Sequence, residues 1–145
     1  MKNAFKGTIS RGTLLSFFLI FLLSSCSQKI GFENSTVAPA ARGSVKLDKD
    51  NNNNYAIDLD IRYLTEPNRL QPPKSVYVVW AETEQNGTQN LGQLKIDDGG
   101  LLSNTLKASM KTSTPYKPRR IFITAEDVAT VQFPGAYVVL NTNSF

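Results

Sequence analysis

Along residues 54–64, NYAIDLDIRYL, apolar and polar side chains take turns. Tyr55, Ile57, Leu59, Ile61 and Tyr63 fall on one side, with Ala56, Asp58, Asp60 and Arg62 on the other. A period of two gives a strand one apolar and one charged face, whereas helical spacing would set Asp58 and Arg62 among apolar neighbours. KSVYVVWAET (74–83) is apolar almost throughout, as a central strand covered on both faces would be, and Trp80 stands near its end. GSVKLDKD (43–50), GQLKI (92–96), LLSNTLKASM (101–110), RRIFITAEDV (119–128) and AYVVLNT (136–142) bring the strand-like segments to seven. The breaks between them carry turn residues: DNNNN, EPNRLQPPK, QNG, DDGG, STPYKP and FPG. Short strands at such intervals, with no long helical pattern, predict an all-β fold. The expected form is a single antiparallel β-sandwich whose third strand places Trp80 between two sheets.

The first 27 residues follow another pattern. Lys2, Lys6 and Arg11 give a positive start, and Thr13 to Leu23 form an apolar run. About a dozen residues suit the core of a signal peptide but are too few for an ordinary membrane-spanning helix. Leu23-Ser24-Ser25-Cys26 closes the run with the only cysteine in the chain. Leucine, two small residues and cysteine resemble the lipobox of bacterial lipoproteins. A thiol can take a diacylglyceryl group as a thioether, and small side chains let the preceding peptide bond enter a signal peptidase. The resemblance implies a signal peptide over 1–25 and a mature chain beginning at Cys26, held on a membrane by its lipid. More than one acyl chain is needed for stable attachment, at roughly 0.8 kcal/mol per buried methylene.

Ser27 to Arg42, SQKIGFENSTVAPAAR, is small and polar without sustained periodicity. Residues 26–42 are therefore expected to form a flexible lipid-anchored tether, reaching a few nanometres at most. Residues 43–145 are left as one domain able to bury a core. No acidic run follows Cys26, of the kind that resembles a surface-export signal in some lipoproteins. The expected location is thus the outer membrane, facing the periplasm.

Charge changes the picture once the signal is removed. The full chain is +4, with sixteen Lys and Arg against twelve Asp and Glu. Three of the cations precede Cys26, leaving thirteen against twelve, so the mature chain is nearly neutral and nucleic acid is not an expected partner.

SVYVVWAETEQNGTQNLGQLKI and IFITAEDVATVQFPGAYVVL together resemble the extracytoplasmic C-terminal domain of the anti-sigma-K factor family. The matching pieces are Val78-Val79-Trp80, Leu91-Gly92, Ile123-Thr124-Ala125-Glu126, Pro134-Gly135 and Val138-Val139-Leu140, across roughly residues 75–141. What the resemblance implies is an immunoglobulin-like sandwich outside the cytoplasm. The family's cytoplasmic helical domain and membrane crossing have no counterpart in these residues, so sigma-factor binding is not expected.

Histidine is absent and the one cysteine is assigned to the lipid. That excludes a Ser-His or Cys-His nucleophile and a histidine-ligated zinc or copper site, so no enzyme activity and no cofactor are expected. The paired carboxylates Asp58 and Asp60, beside Arg62, read as a solvated strand face, and Asp97-Asp98-Gly99-Gly100 reads as a turn. DKDNNNN begins like a calcium loop but lacks the glycine at its sixth position and has Leu59 where the closing glutamate belongs, so it reads as a hairpin turn. Asn86-Gly87 likewise reads as a hairpin turn before it reads as a glycosylation site. Lys117, Arg119 and Arg120, beside Tyr116, form the local cationic cluster. They are candidate contacts for the phosphates of a glycolipid or an anionic polymer, against the plainer reading of a solvated loop entering a strand.

Two functions fit. The first is a lipid-anchored, non-catalytic binding or interaction module of the cell envelope, with the membrane as one partner and an envelope protein or glycan as another. The second is a structural subunit of a fimbria or adhesin, processed after Arg42 and polymerising by strand exchange.

Overall fold

The structure, a computed structural model, describes residues 27–97 and 106–145. It is all-β. The strands are β1 (Gln28–Gly31), β2 (Arg42–Lys49), β3 (Tyr55–Arg62), β4 (Val76–Thr83), β5 (Thr88–Asp97), β6 (Lys107–Thr114), β7 (Pro118–Glu126) and β8 (Val138–Asn141), with a short 3-10 turn at Pro67–Arg69. Every pairing is antiparallel, in the order β1-β2-β3-β6-β5-β4-β7-β8. Hydrogen bonding is continuous across all eight strands, and the sheet curls into a half-barrel. All seven expected segments contribute a strand, although β5 begins at Thr88 rather than Gly92 and β6 at Lys107 rather than Leu101.

The curl comes from β5. Its first part pairs with β4 up to Leu94, and its last residues, Lys95–Asp97, pair with β6. The register slips between Val79 and Trp80, which face Gly92 and Asn90, so Leu91 is an extra residue in β5. Such a bulge bends a strand and sharpens its twist. Gly92 supplies the backbone, with φ at 115°, a region closed to other residues, and the Met110 methyl would lie 3.2 Å from an added Cβ.

The concave side holds the main core. Val45 and Leu47 of β2, Ile57, Leu59 and Ile61 of β3, Tyr77, Val79 and Ala81 of β4, and Ile121, Ile123 and Ala125 of β7 are buried there. The alternation in β3 ends early. Tyr63 takes a positive φ of 58° and is exposed, and Leu64 fills the inward place instead. Trp80 is fully buried, but on the other side. The expectation that it lies in the main core between sheets is corrected. In β4, Tyr77, Val79 and Ala81 point inward, so Val78 and Trp80 point outward, where they join Phe122 in a second cluster that Val131 helps to cover. The indole and the Phe122 ring stack with centroids 6.3 Å apart. Strand β4 is thus apolar from Val76 to Ala81 because both faces are covered.

The expected tether is also corrected. Residues 28–31 form β1 along β2, from Gln28 opposite Leu47 to Gly31 opposite Ser44. Beyond them, the Phe32 amide donates to the Gly43 carbonyl and the Glu33 amide to the Asn141 carbonyl, at 3.1 and 2.8 Å. A bridge joins Phe32 to Thr142 beyond β8, the Ser35 hydroxyl donates to the Val139 carbonyl, and Ala38 and Ala41 are buried. The segment binds both edges of the curled sheet. Its polar composition hid this because a short edge strand buries little: within β1 only Ile30 leans on the core.

Three outcomes are expected on unfolding in urea. A chain beginning at Gly43 should unfold at clearly lower denaturant than one beginning at Ser27, since it leaves β2 unpaired on one side. Trp80→Ala should lose about 3–5 kcal/mol, as large-to-small changes in packed clusters do. Asp58→Ala, in an exposed ion pair with Lys111, should lose no more than about 1 kcal/mol. A Trp80→Ala protein of normal stability would overturn the burial assigned to the second cluster.

Candidate functional site

The outward faces of β4 and β7 meet in register, with Trp80 opposite Phe122, Val78 opposite Thr124 and Val76 opposite Glu126. The indole N–H donates to the Thr124 hydroxyl at 2.8 Å, and that hydroxyl donates to Glu126 Oε1 at 2.6 Å. The same carboxyl oxygen accepts the Gly135 amide at 2.7 Å. A Cβ on Gly135 would fall 2.8 Å from Glu126 Oε2, so a larger residue there would push the carboxyl aside. A buried polar side chain is tolerated when it is bonded, and Glu126 is bonded inside and to the loop above it.

These bonds hold down residues 127–137. Asn90 of β5 donates to the carbonyls of Ala129 and Val131 at 3.1 and 2.8 Å, Lys74 pairs with Asp127 at 3.0 Å, and the Tyr137 hydroxyl donates to the Gln71 carbonyl at 2.6 Å. On this fixed loop Phe133 is 80 % exposed, Val128 is also exposed, and so is Val138 where β8 begins. A ring displayed on a fixed loop loses little conformational freedom when a partner covers it.

A polar cleft opens where β5 leaves β4. One part, about 540 Å³, is lined by residues that include Glu66, Lys74, Tyr77 and Lys95; an adjoining part of about 570 Å³ shares Glu66, Lys95 and Ile96 and reaches Ser109. Glu66 pairs with Arg69 at 3.0 Å. The Tyr77 hydroxyl donates to the Thr65 carbonyl at 2.8 Å, and burial, with Tyr137 nearby, pushes its ionisation well above the ordinary tyrosine range. It stays neutral and serves as a donor. Carboxyl, ammonium and amide groups line the cleft, a donor and acceptor set suited to a polar ligand.

The sequence-predicted residues fall as follows. Cys26, with Leu23, Ser24 and Ser25, lies outside the described residues, as does the Asp98-Gly99-Gly100 part of the expected turn. The structure brings Lys117, Arg119 and Arg120 together and gives each a carboxylate. Lys117 meets Glu84 at 2.6 Å, while Arg119 and Arg120 meet Glu82 at 3.4 and 3.0 Å. The bond and the charge of Glu84 raise the Lys117 ionisation further. Arg120 also stands 5.1 Å from the Phe122 ring centre. Much of the cluster's charge is therefore met by its own sheet. Asp58 and Asp60 sit on the outer face of β3, paired with Lys111 and Arg62.

DKDNNNN is the β2–β3 turn. Asp50 accepts the amides of Asn52 and Asn54 and the Asn54 side chain. Desolvation alone would raise the Asp50 carboxyl, but these bonds and Lys49 outweigh it and hold the group below the usual carboxylate value. No grouping of ligating side chains suited to a metal ion occurs among the described residues. Sequence reasoning missed the loop that displays Phe133 and the cleft at Glu66 and Lys95. The one signal for the loop was Glu126, in step with Phe122 and Thr124 along an otherwise apolar strand.

No known protein family, curated protein or solved structure matches the chain.

Proposed function

We propose that the protein is a lipid-anchored, non-catalytic binding or interaction module of the bacterial cell envelope, held on the outer membrane and facing the periplasm. The observation that carries this reading is Leu23-Ser24-Ser25-Cys26 at the end of an apolar run, with the fold starting almost at once, at Gln28. With no histidine and with its only thiol consumed by lipid, the chain lacks the usual means of activating a nucleophile. Binding remains, and the fixed Phe133 loop and the polar cleft are the surfaces for an envelope protein or glycan.

For the fold we propose the immunoglobulin-like sandwich. Strands β2, β3 and β6 would form one layer and β4, β7 and β8 the other, with β5 shared at the bend. This order follows the A-B-E and C-F-G pairings of that architecture. It supports the likeness to the anti-sigma-K extracytoplasmic domain, and sigma-factor binding forms no part of the proposal. The fimbrial or adhesin reading finds less support. Cleavage after Arg42 would cut within β2 and strip the segment that joins β2 to β8.

Labelling in bacterial cells with a palmitate analogue tests the anchor. Cys26→Ala should abolish incorporation and leave the protein either uncleaved or released from the membrane fraction. Undiminished labelling of that variant would overturn the proposal.

A further inference from the structure

Which way the domain faces follows from where β1 begins. We propose that the end of the sheet carrying the start of β1 is seated in the lipid headgroup layer, with Lys29 and Lys46 on headgroup phosphates. The polar cleft then faces away from the membrane. This rests on the lipid-anchor reading of Cys26.

Only Ser27 separates Cys26 from β1. Two residue steps span at most about 7 Å, comparable to the thickness of the headgroup zone on one side of a bilayer. The thioether of Cys26 sits at the glycerol level, so Gln28 cannot leave that zone while β1 stays paired. β1 is retained by its full pairing with β2 and by the bridge from Phe32 to Thr142. The membrane is therefore close against whatever shares that end of the sheet. Antiparallel strand directions place there the β2–β3 turn at Asn51–Asn54, the β6–β7 turn with the exposed Tyr116, and the β4–β5 turn at Gly87. Their amide, phenol and glycine groups suit a hydrated interface, and of the charges in these turns Glu84 is paired with Lys117 at 2.6 Å while Asp50 accepts the amides of Asn52 and Asn54. Tyrosine is enriched at this depth.

A second observation points to an anion. Lys29 and Lys46 lie directly opposite each other in the β1–β2 ladder, and both are exposed. Like charges so placed repel and destabilise the pair. The carboxylate across the next strand, Asp58, is held by Lys111 at 3.2 Å. Lys29 is three residues from the acylated position, within about 10 Å of it along an extended chain. Asp58 is shared with Lys111, and phosphates of the bilayer that holds the acyl chains can supply the rest of the compensating charge.

The other end is set by the same strand directions. It carries the connection between β3 and β4, hence Glu66 and Asn68, and the roots of the β7–β8 loop, which folds back over the outer face of β4 and β7 as far as Asn90. An eight-residue strand such as β3 is about 27 Å long, so this end stands clear of the headgroups.

The full lipidated protein tests this in vesicles of phosphatidylethanolamine and phosphatidylglycerol carrying a headgroup nitroxide quencher. Because acylation consumes Cys26, bimane can be attached at Asn52→Cys in one variant and Asn68→Cys in another. Both positions are exposed, at opposite ends of the sheet. The expected result is loss of most emission at position 52 and unchanged emission at position 68. Equal emission from the two positions in vesicle-bound protein overturns the seating and leaves the anchor standing. Protein that does not enter the vesicle fraction overturns the anchor and the seating together. Lys29→Gln with Lys46→Gln should weaken quenching at position 52, and unchanged quenching would overturn the phosphate contact.

Discussion

The architecture depends on one strand serving two neighbours. β5 must leave β4 and reach β6 within ten residues, and the bulge at Leu91-Gly92 lets it do so. Asn90 fixes that bulge by accepting the Gly92 amide at 2.8 Å. Its amide nitrogen, on the other side, holds the carbonyls of Ala129 and Val131. One side chain thus joins the bend that folds the sheet to the loop that displays Phe133. A bend in the backbone and a surface feature well away in sequence share a cause.

The curl also explains why β4 and β7 differ from the rest. Their inner faces line the main core, and their outer faces need a cover as well, since Val78, Trp80 and Phe122 would otherwise meet water. Residues 127–137 provide it. The buried chain from Trp80 through Thr124 to Glu126 then gives the cover a fixed point at Gly135. Apolar packing alone would leave such a loop free to slide. Directional bonds to a buried carboxyl set its position.

Much of this was legible. The alternation in NYAIDLDIRYL placed Ile57, Leu59 and Ile61 inside, and the unbroken run in KSVYVVWAET identified an interior strand. Other features were not, for physical reasons. A strand buried on both faces has no periodicity to say which side faces the main core, so Trp80 was assigned to the wrong one. QKIG is too short and polar to register as a strand, because its role is to pair a sheet edge and little of it is buried. Lys117, Arg119 and Arg120 looked like a cationic patch because Glu82 and Glu84, which meet them, are distant in sequence and arrive by the β4–β7 pairing. The fixing of Phe133 was equally invisible, since Asn90 and Glu126 act across the sheet.

The same short strand that escaped detection gives the proposed anchor its mechanical character. A long coil would leave orientation to chance, and any surface of the domain would meet a partner about equally often. A chain that enters a paired strand two residues after its lipid has little such freedom, because turning the domain over would require unpairing β1. That would also release Phe32 from Thr142 and loosen the closure between β2 and β8. On the proposed anchoring, attachment and folding are coupled: the contacts that close the sheet would also direct its far end away from the membrane. For a near-neutral domain, steering by charge is weak, and a fixed presentation of Phe133 and the cleft becomes the main physical means of favouring one partner geometry over another.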